Sequence, residues 1–280
     1  GDCNVALGVD ALTSATTASD NAAVGTQSLL SNTTGTQNVA VGNNTLDANT
    51  TGNSNTALGH NSLSANTTAA NNLAAGNNSL CTTTTGCQNT ALGSNAMDAN
   101  TTGDNNVAVG RDALGANTTA DNNTAVGHSA LFANTTGASN VALGFEALKA
   151  NTTADNNISI GHQSGLTTTT GTRNIGIGRG TLYTNNTNDN VAIGHTSQLY
   201  TSSGANNTSV GSCALQNNTT ASNNTAVGMN TLIANTTGEN NIAIGSCSML
   251  NTTTGSANIS IGKVAMCVNT EGDNNTAIGH

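Results

Sequence analysis

One pentapeptide, Asn-h-Ala-h-Gly with h aliphatic or Thr, returns along the whole chain and limits what it can fold into. Its asparagines stand 17 residues apart at Asn4, Asn21, Asn38, Asn55, Asn72, Asn89, Asn106, Asn123, Asn140, Asn157 and Asn174. The series resumes one residue early at Asn190 and continues through Asn207, Asn224, Asn241, Asn258 and Asn275. A fixed period marks a repeat architecture in which each unit buries its surface only against its neighbours. With phases counted from 0 at this Asn, the unit reads N-h-A-h-G-x-x-(S/T/A)-L-x-x-N-T-T-(G/A)-x-x, clearest from Asn38 to Ser54. Helix-turn-helix repeats take roughly 33 residues or more. Alternation over phases 1 to 3, closed by Gly at phase 4, is a strand followed by a bend. The expected fold is therefore all-β: a parallel β-solenoid, or β-roll, of about 16 coils spanning residues 1–280 as a single array. Coils stacked at the strand spacing of about 4.8 Å would make a rod of roughly 75 to 80 Å.

Composition says what such coils have to work with. Aromatic residues are 1% of the chain, charged residues 7%, and proline is absent. Disordered chains are usually rich in charge and proline, so disorder is not the expectation. The core must be thin. Phase 8 is Leu or Met in most units, from Leu12 and Leu29 to Leu148, and phase 3 is aliphatic nearly throughout. Both phases are expected to hold the coils together. Ala at phase 2 and Gly at phase 4 are expected to form a smooth opposite face, against which a second chain packs, in a three-fold bundle or a filament. The alternative is that they line a narrow interior. A net charge of -9 argues against nucleic acid, whose phosphates call for Lys and Arg. No stretch approaches the ~20 apolar residues that span a bilayer, so no membrane insertion is expected. No signal peptide is visible at the start of the sequence.

The segments NVAVG (38–42), NTALG (55–59), NTAVG (123–127), NIAIG (241–245) and NNTAIGH (274–280), each repeat carrying a Leu and an N-T-T turn, resemble the head repeats of trimeric autotransporter adhesins. They are similar, too, to repeats of phage and virus tail-fibre proteins. The resemblance covers the whole chain at five recurring positions. It implies a left-handed β-roll that trimerises and serves as a rigid head or stalk at a cell or virion surface, without catalysis. The unit here is longer than in the commonest adhesin heads, and no heptad stalk, membrane anchor or fibre tip is visible.

Candidate sites lie in the turns. The N-T-T triplet starts at Asn32, Asn49, Asn66, Asn100, Asn117, Asn134, Asn151, Asn218 and Asn235. Each is an N-x-T acceptor for N-glycosylation on an exposed turn, or else part of a hydrogen-bonded Asn ladder. The two readings exclude each other at any one residue. Ala15, Thr83, Thr168 and Thr201 interrupt the column. The Thr columns at phases 12 and 13 raise ice binding as an alternative function. Adjacent Thr in a strand face opposite ways, however, whereas ice-binding solenoids favour T-x-T.

All five histidines, His60, His128, His162, His195 and His280, share phase 5 with Asn43, Arg111, Phe145, Arg179, Met229 and Lys263. So mixed an occupancy describes an exposed, permissive position rather than a metal column, and no metal or cofactor is expected. Cys81 and Cys87 share a coil and Cys247 and Cys267 lie in adjacent coils, so either pair is a candidate disulfide. Acidic residues recur at phase 15, among them Asp104, Asp121, Asp155 and Glu239, without a paired acid or base. No catalytic triad or phosphate loop is readable.

The 16-residue unit from Asn174 to Asp189, with Leu166 and Leu199 displaced to phase 9, predicts a bulge or shifted corner around residues 157–207. Neither end carries a capping segment, so a piece of a longer fibre is expected. The sequence as a whole points to a non-catalytic extracellular fibre or adhesin-like shaft.

Overall fold

The computed structural model describes all 280 residues. It is a parallel β-solenoid with no helix, built from 17 strands of three residues each. The coils divide into two compact units, residues 1–140 and 141–280. In the first unit, β1 (Val5–Leu7) to β8 (Thr124–Val126) pair in parallel with each residue opposite its equivalent one period on, as Val39 to Thr56 and Ala40 to Ala57. In the second, β9 (Val141–Leu143) to β17 (Thr276–Ile278) pair the same way, as Ile158 to Ile175.

The coil closes through four special backbone positions. Phases 6, 8 and 16 lie in the left-handed region, as at Asn44 (φ 53°), Leu46 (φ 52°) and Ser54 (φ 58°). Phase 4 is Gly for two reasons. Gly42 has φ 139°, and a Cβ there would sit 2.5 Å from the Gly59 carbonyl oxygen of the next coil. Backbone bonds then join coil to coil at the corners as well as in the strands: Leu46 N–H donates to Ser62 O at 3.1 Å and Thr50 N–H to Thr67 O at 2.8 Å.

The core corrects one expectation. Ala at phase 2 does not face outward. Ala40, Ala57, Ala74, Ala91 and Ala108 are fully enclosed, as are Leu46, Leu63, Leu80 and Leu114 at phase 8. The aliphatic phase 3 points out of the coil instead, with Val41, Leu58, Leu143, Ile177, Ile244 and Ile261 each about two-fifths exposed. Residues 1 and 3 of a three-residue strand share the face opposite residue 2. The interior of a 17-residue coil is narrow, and at the strand it admits only small side chains, Ala in most coils and Ser at Ser159, Ser209 and Ser260. The larger side chains are therefore outside, leaving the core to phase 8. In the second unit this core runs through Ala214, Leu215, Ala226, Leu232, Ala243 and Met249.

The short coil keeps its strands in register and puts its irregularity in a turn within residues 157–207. Registers continue unbroken through Ile158, Ile175 and Val191. Phase 8 keeps its left-handed backbone even where Leu is displaced, at Gly165 (φ 62°) and Gln198 (φ 48°). The missing residue comes out of the polar turn: Asn174 Nδ2 donates to Thr187 O at 2.7 Å, the bond that Asn157 Nδ2 makes to Gly171 O at 2.8 Å. A turn can lose a residue without moving a strand or a buried corner.

Candidate functional site

Two columns of asparagine run inside the coils. At phase 0, Asn38 accepts the Asn55 N–H on Oδ1 at 3.0 Å and donates Nδ2 to Gly52 O at 2.8 Å. At phase 11, Asn49 Nδ2 donates to Asn32 Oδ1 at 2.9 Å and to Gly52 O at 3.1 Å. Each amide thus ties its own turn shut and bonds to the next coil, which is the condition for keeping a polar group buried.

The nine sequon asparagines belong to this second column. Asn32, Asn49, Asn66, Asn100, Asn117, Asn134, Asn151, Asn218 and Asn235 are all fully enclosed. An enclosed amide has no room for a sugar, so the folded coil holds these residues as ladder members. The interruption at Thr83 is bridged on one side by its hydroxyl: Thr83 Oγ1 donates to Asn100 O at 3.1 Å and accepts from Asn100 Nδ2 at 3.3 Å. Phase-16 and phase-5 asparagines such as Asn122 and Asn43, by contrast, are exposed, and both open an N-x-T triplet. Their signal was in the sequence, hidden by the more regular N-T-T array.

The two Thr columns separate. Phase 12 spends its hydroxyl on the next coil, as Thr33 Oγ1 to Thr50 O at 3.0 Å, while phase 13 is exposed at Thr34, Thr51, Thr68, Thr85, Thr102 and Thr119.

All six cysteines are free thiols, so neither the Cys81–Cys87 nor the Cys247–Cys267 pairing is formed. Cys81 Sγ points to Asp98 O at 3.5 Å and Cys87 Sγ to Thr85 O at 3.3 Å, because phases 9 and 15 lie on different corners of the coil. Burial, with the Asp98 carboxylate beside it, pushes the Cys81 thiol pKa up. The histidines follow their neighbours in phase 5: Phe145 stacks on His162 with centroids 5.2 Å apart, and Arg111 Nη2 lies 2.6 Å from His128 Nε2. No three His, Cys, Asp or Glu side chains converge as a metal site. The phase-15 acids are also structural: Asp104 Oδ1 accepts the Cys87 N–H at 2.6 Å and Asp121 Oδ1 the Asp104 N–H at 2.7 Å.

The strand face remains. Its outward positions in the first unit, phases 1 and 3 of β1 to β8, hold Val, Leu, Ala and Thr and no charge. In the second unit, Ile158, Ile242 and Ile259 join Leu143, Ile177, Ile244 and Ile261 as exposed aliphatics on the same face. No helix is long and apolar enough to cross a membrane. No family profile and no curated protein matches the chain.

Proposed function

We propose that this protein is a non-catalytic structural element, a fibre or adhesin-like shaft of the extracellular or virion surface, whose coils associate with further copies through the strand face. The observation that supports the reading is that face. Exposed apolar patches beyond a few hundred Å² are rare on monomers and mark association sites. Sixteen outward side chains of the first unit line this face without a charge, with Val5, Leu7, Val41 and Leu58 the most exposed of them. Aliphatic ranks at a fixed strand spacing fit a second copy with the same spacing, and nothing charged opposes the approach. This moves the expected subunit contact from the Ala and Gly positions to phases 1 and 3. The resemblance to adhesin heads and tail fibres points to a homo-oligomer as well.

Mass measurement in solution tests the reading. At micromolar concentration the wild type is expected as an oligomer, while a Leu58→Lys/Ile177→Lys variant runs as monomer with an unchanged circular dichroism spectrum. A wild type that stays monomeric would sink the proposal.

Ice binding is the second reading. Its support is the exposed phase-13 column from Thr34 to Thr119, one hydroxyl per strand spacing of about 4.8 Å. Thermal hysteresis in the wild type, lost on replacing Thr68 and Thr85 by Lys, would favour it over the fibre.

A further inference from the structure

The phase-11 ladder has a fixed direction, and that direction exposes two interior sites. In an intact step the amide NH2 of one coil serves two acceptors. Asn66 Nδ2 donates to Asn49 Oδ1 at 2.8 Å and to Ala69 O of its own turn at 3.3 Å. Asn117 Nδ2 repeats this with Asn100 Oδ1 at 2.9 Å and Ala120 O at 3.1 Å. At Thr83 and at Thr252, which also stands at phase 11, the hydroxyl turns the other way. Thr83 Oγ1 is occupied with Asn100 of the following coil, as is Thr252 Oγ1 with Asn269 O at 2.8 Å.

Two acceptors are thereby left without their usual donor at each break. Asn66 Oδ1 and Asn235 Oδ1 are buried and have no hydrogen-bond partner. Gly86 O and Gly255 O keep only the phase-0 amides, Asn72 Nδ2 and Asn241 Nδ2, both at 2.8 Å. There is also room. Beside Gly52 and Gly103, the amide oxygen of the same coil's Asn would crowd an added Cβ at 2.4 and 2.6 Å. Beside Gly86 and Gly255 the nearest side-chain atoms belong to the neighbouring Asn100 and Asn258, at 3.1 and 3.2 Å.

We propose that the breaks at Thr83 and Thr252 are each a binding site for one internal water molecule that takes the place of the missing amide NH2. One O–H donates to Asn66 Oδ1 and the other to Gly86 O; at the second site the acceptors are Asn235 Oδ1 and Gly255 O. The chemistry selects a small neutral ligand with two donors. Two neutral oxygens are too few for calcium or magnesium, and an unpaired cation would bear the full desolvation penalty. An internal water is the ordinary partner of otherwise unsatisfied buried polar groups. Thr201 does not make a third such site. There the preceding Asn185 Oδ1 already accepts from Thr187 Oγ1 at 2.9 Å and from Asn190 Nδ2 at 3.2 Å.

Water relaxation dispersion and thermal unfolding of Thr83→Asn and Thr252→Asn test this. Each substitution restores the amide, so each is expected to remove one long-lived water from the wild-type count and to raise the Tm by roughly 2 to 4 °C. An unchanged count of long-lived waters in folded variants overturns the proposal. If the variants do not fold, a high-resolution crystal structure of the wild type decides. A solvent peak within hydrogen-bond distance of both Asn66 Oδ1 and Gly86 O supports the site, and its lack there overturns it.

Discussion

A buried asparagine in this protein does the work that a strand ladder does elsewhere, at a place where the chain is turning. Asn106 shows how much one residue carries. It donates to Ala120 O at 2.8 Å and Asn89 Oδ1 at 3.2 Å, and accepts the Asn123 N–H at 2.9 Å. Asn106→Ala would strand the Asn123 N–H inside the coil and leave Ala120 O with Asn117 Nδ2 alone, and an unsatisfied buried group costs about 1 to 3 kcal/mol. Urea unfolding should register a loss of about 1 to 3 kcal/mol for this one substitution. Asp98 is the opposite case, a residue that the fold tolerates. Burial raises its pKa, with the Asp112 carboxylate adding to the rise. A carboxyl with a raised folded pKa stabilises below its unfolded value, and that contribution is lost as pH climbs through the folded one. Asp98→Asn is therefore expected to stabilise the protein near neutral pH and to lose its advantage below about pH 4. Stability that is equal for the two chains at neutral pH would contradict the assignment.

At the level of the coil, the corner at phase 8 combines two demands that usually conflict. The backbone there is left-handed, which a Leu side chain pays for, yet the same side chain fills the core. Gly165 relieves the first demand and forgoes the second. Gln198 meets neither. It is fully buried with φ 48°; its Nε2 donates to Val191 O and Ser209 Oγ, both at 2.9 Å, and its Oε1 has no partner. Ser209 stands where most coils have Ala, and its hydroxyl shares this polar pocket with Ser197. Restoring the apolar pair with Gln198→Leu/Ser209→Ala is expected to raise stability by about 1 to 3 kcal/mol. Calorimetry reads this directly, and a lower Tm in the double variant would show that the pocket is better packed than its unpaired oxygen implies.

At the scale of the whole molecule, function must reside on the outside, because the interior amides are already committed to the ladders. Expression in a glycosylating host followed by intact-mass analysis bears on this. Any glycan is expected on exposed sequons such as Asn122 or Asn43 and none on the nine N-T-T asparagines, which are enclosed. A sugar mapped to Asn49 or Asn117 would mean that the chain folds differently there. The repeat, the β-solenoid class and the coil number were legible in the sequence, because a 17-residue period with a strand and a glycine bend leaves few alternatives. So was the exposure of most of phase 5. What the period could not fix was which side of each strand faces inward. Alternation separates phase 2 from phases 1 and 3, yet ordinary reasoning puts the larger aliphatics inside. Only the closed coil decides otherwise. Its interior at the strand is too narrow for Val, Leu or Ile, so Ala40 and its equivalents go in and Val41 and its equivalents go out. The N-T-T turn divides the same way: the sequence set its spacing, and the inward path of the turn made its asparagines ladder rungs rather than surface acceptors.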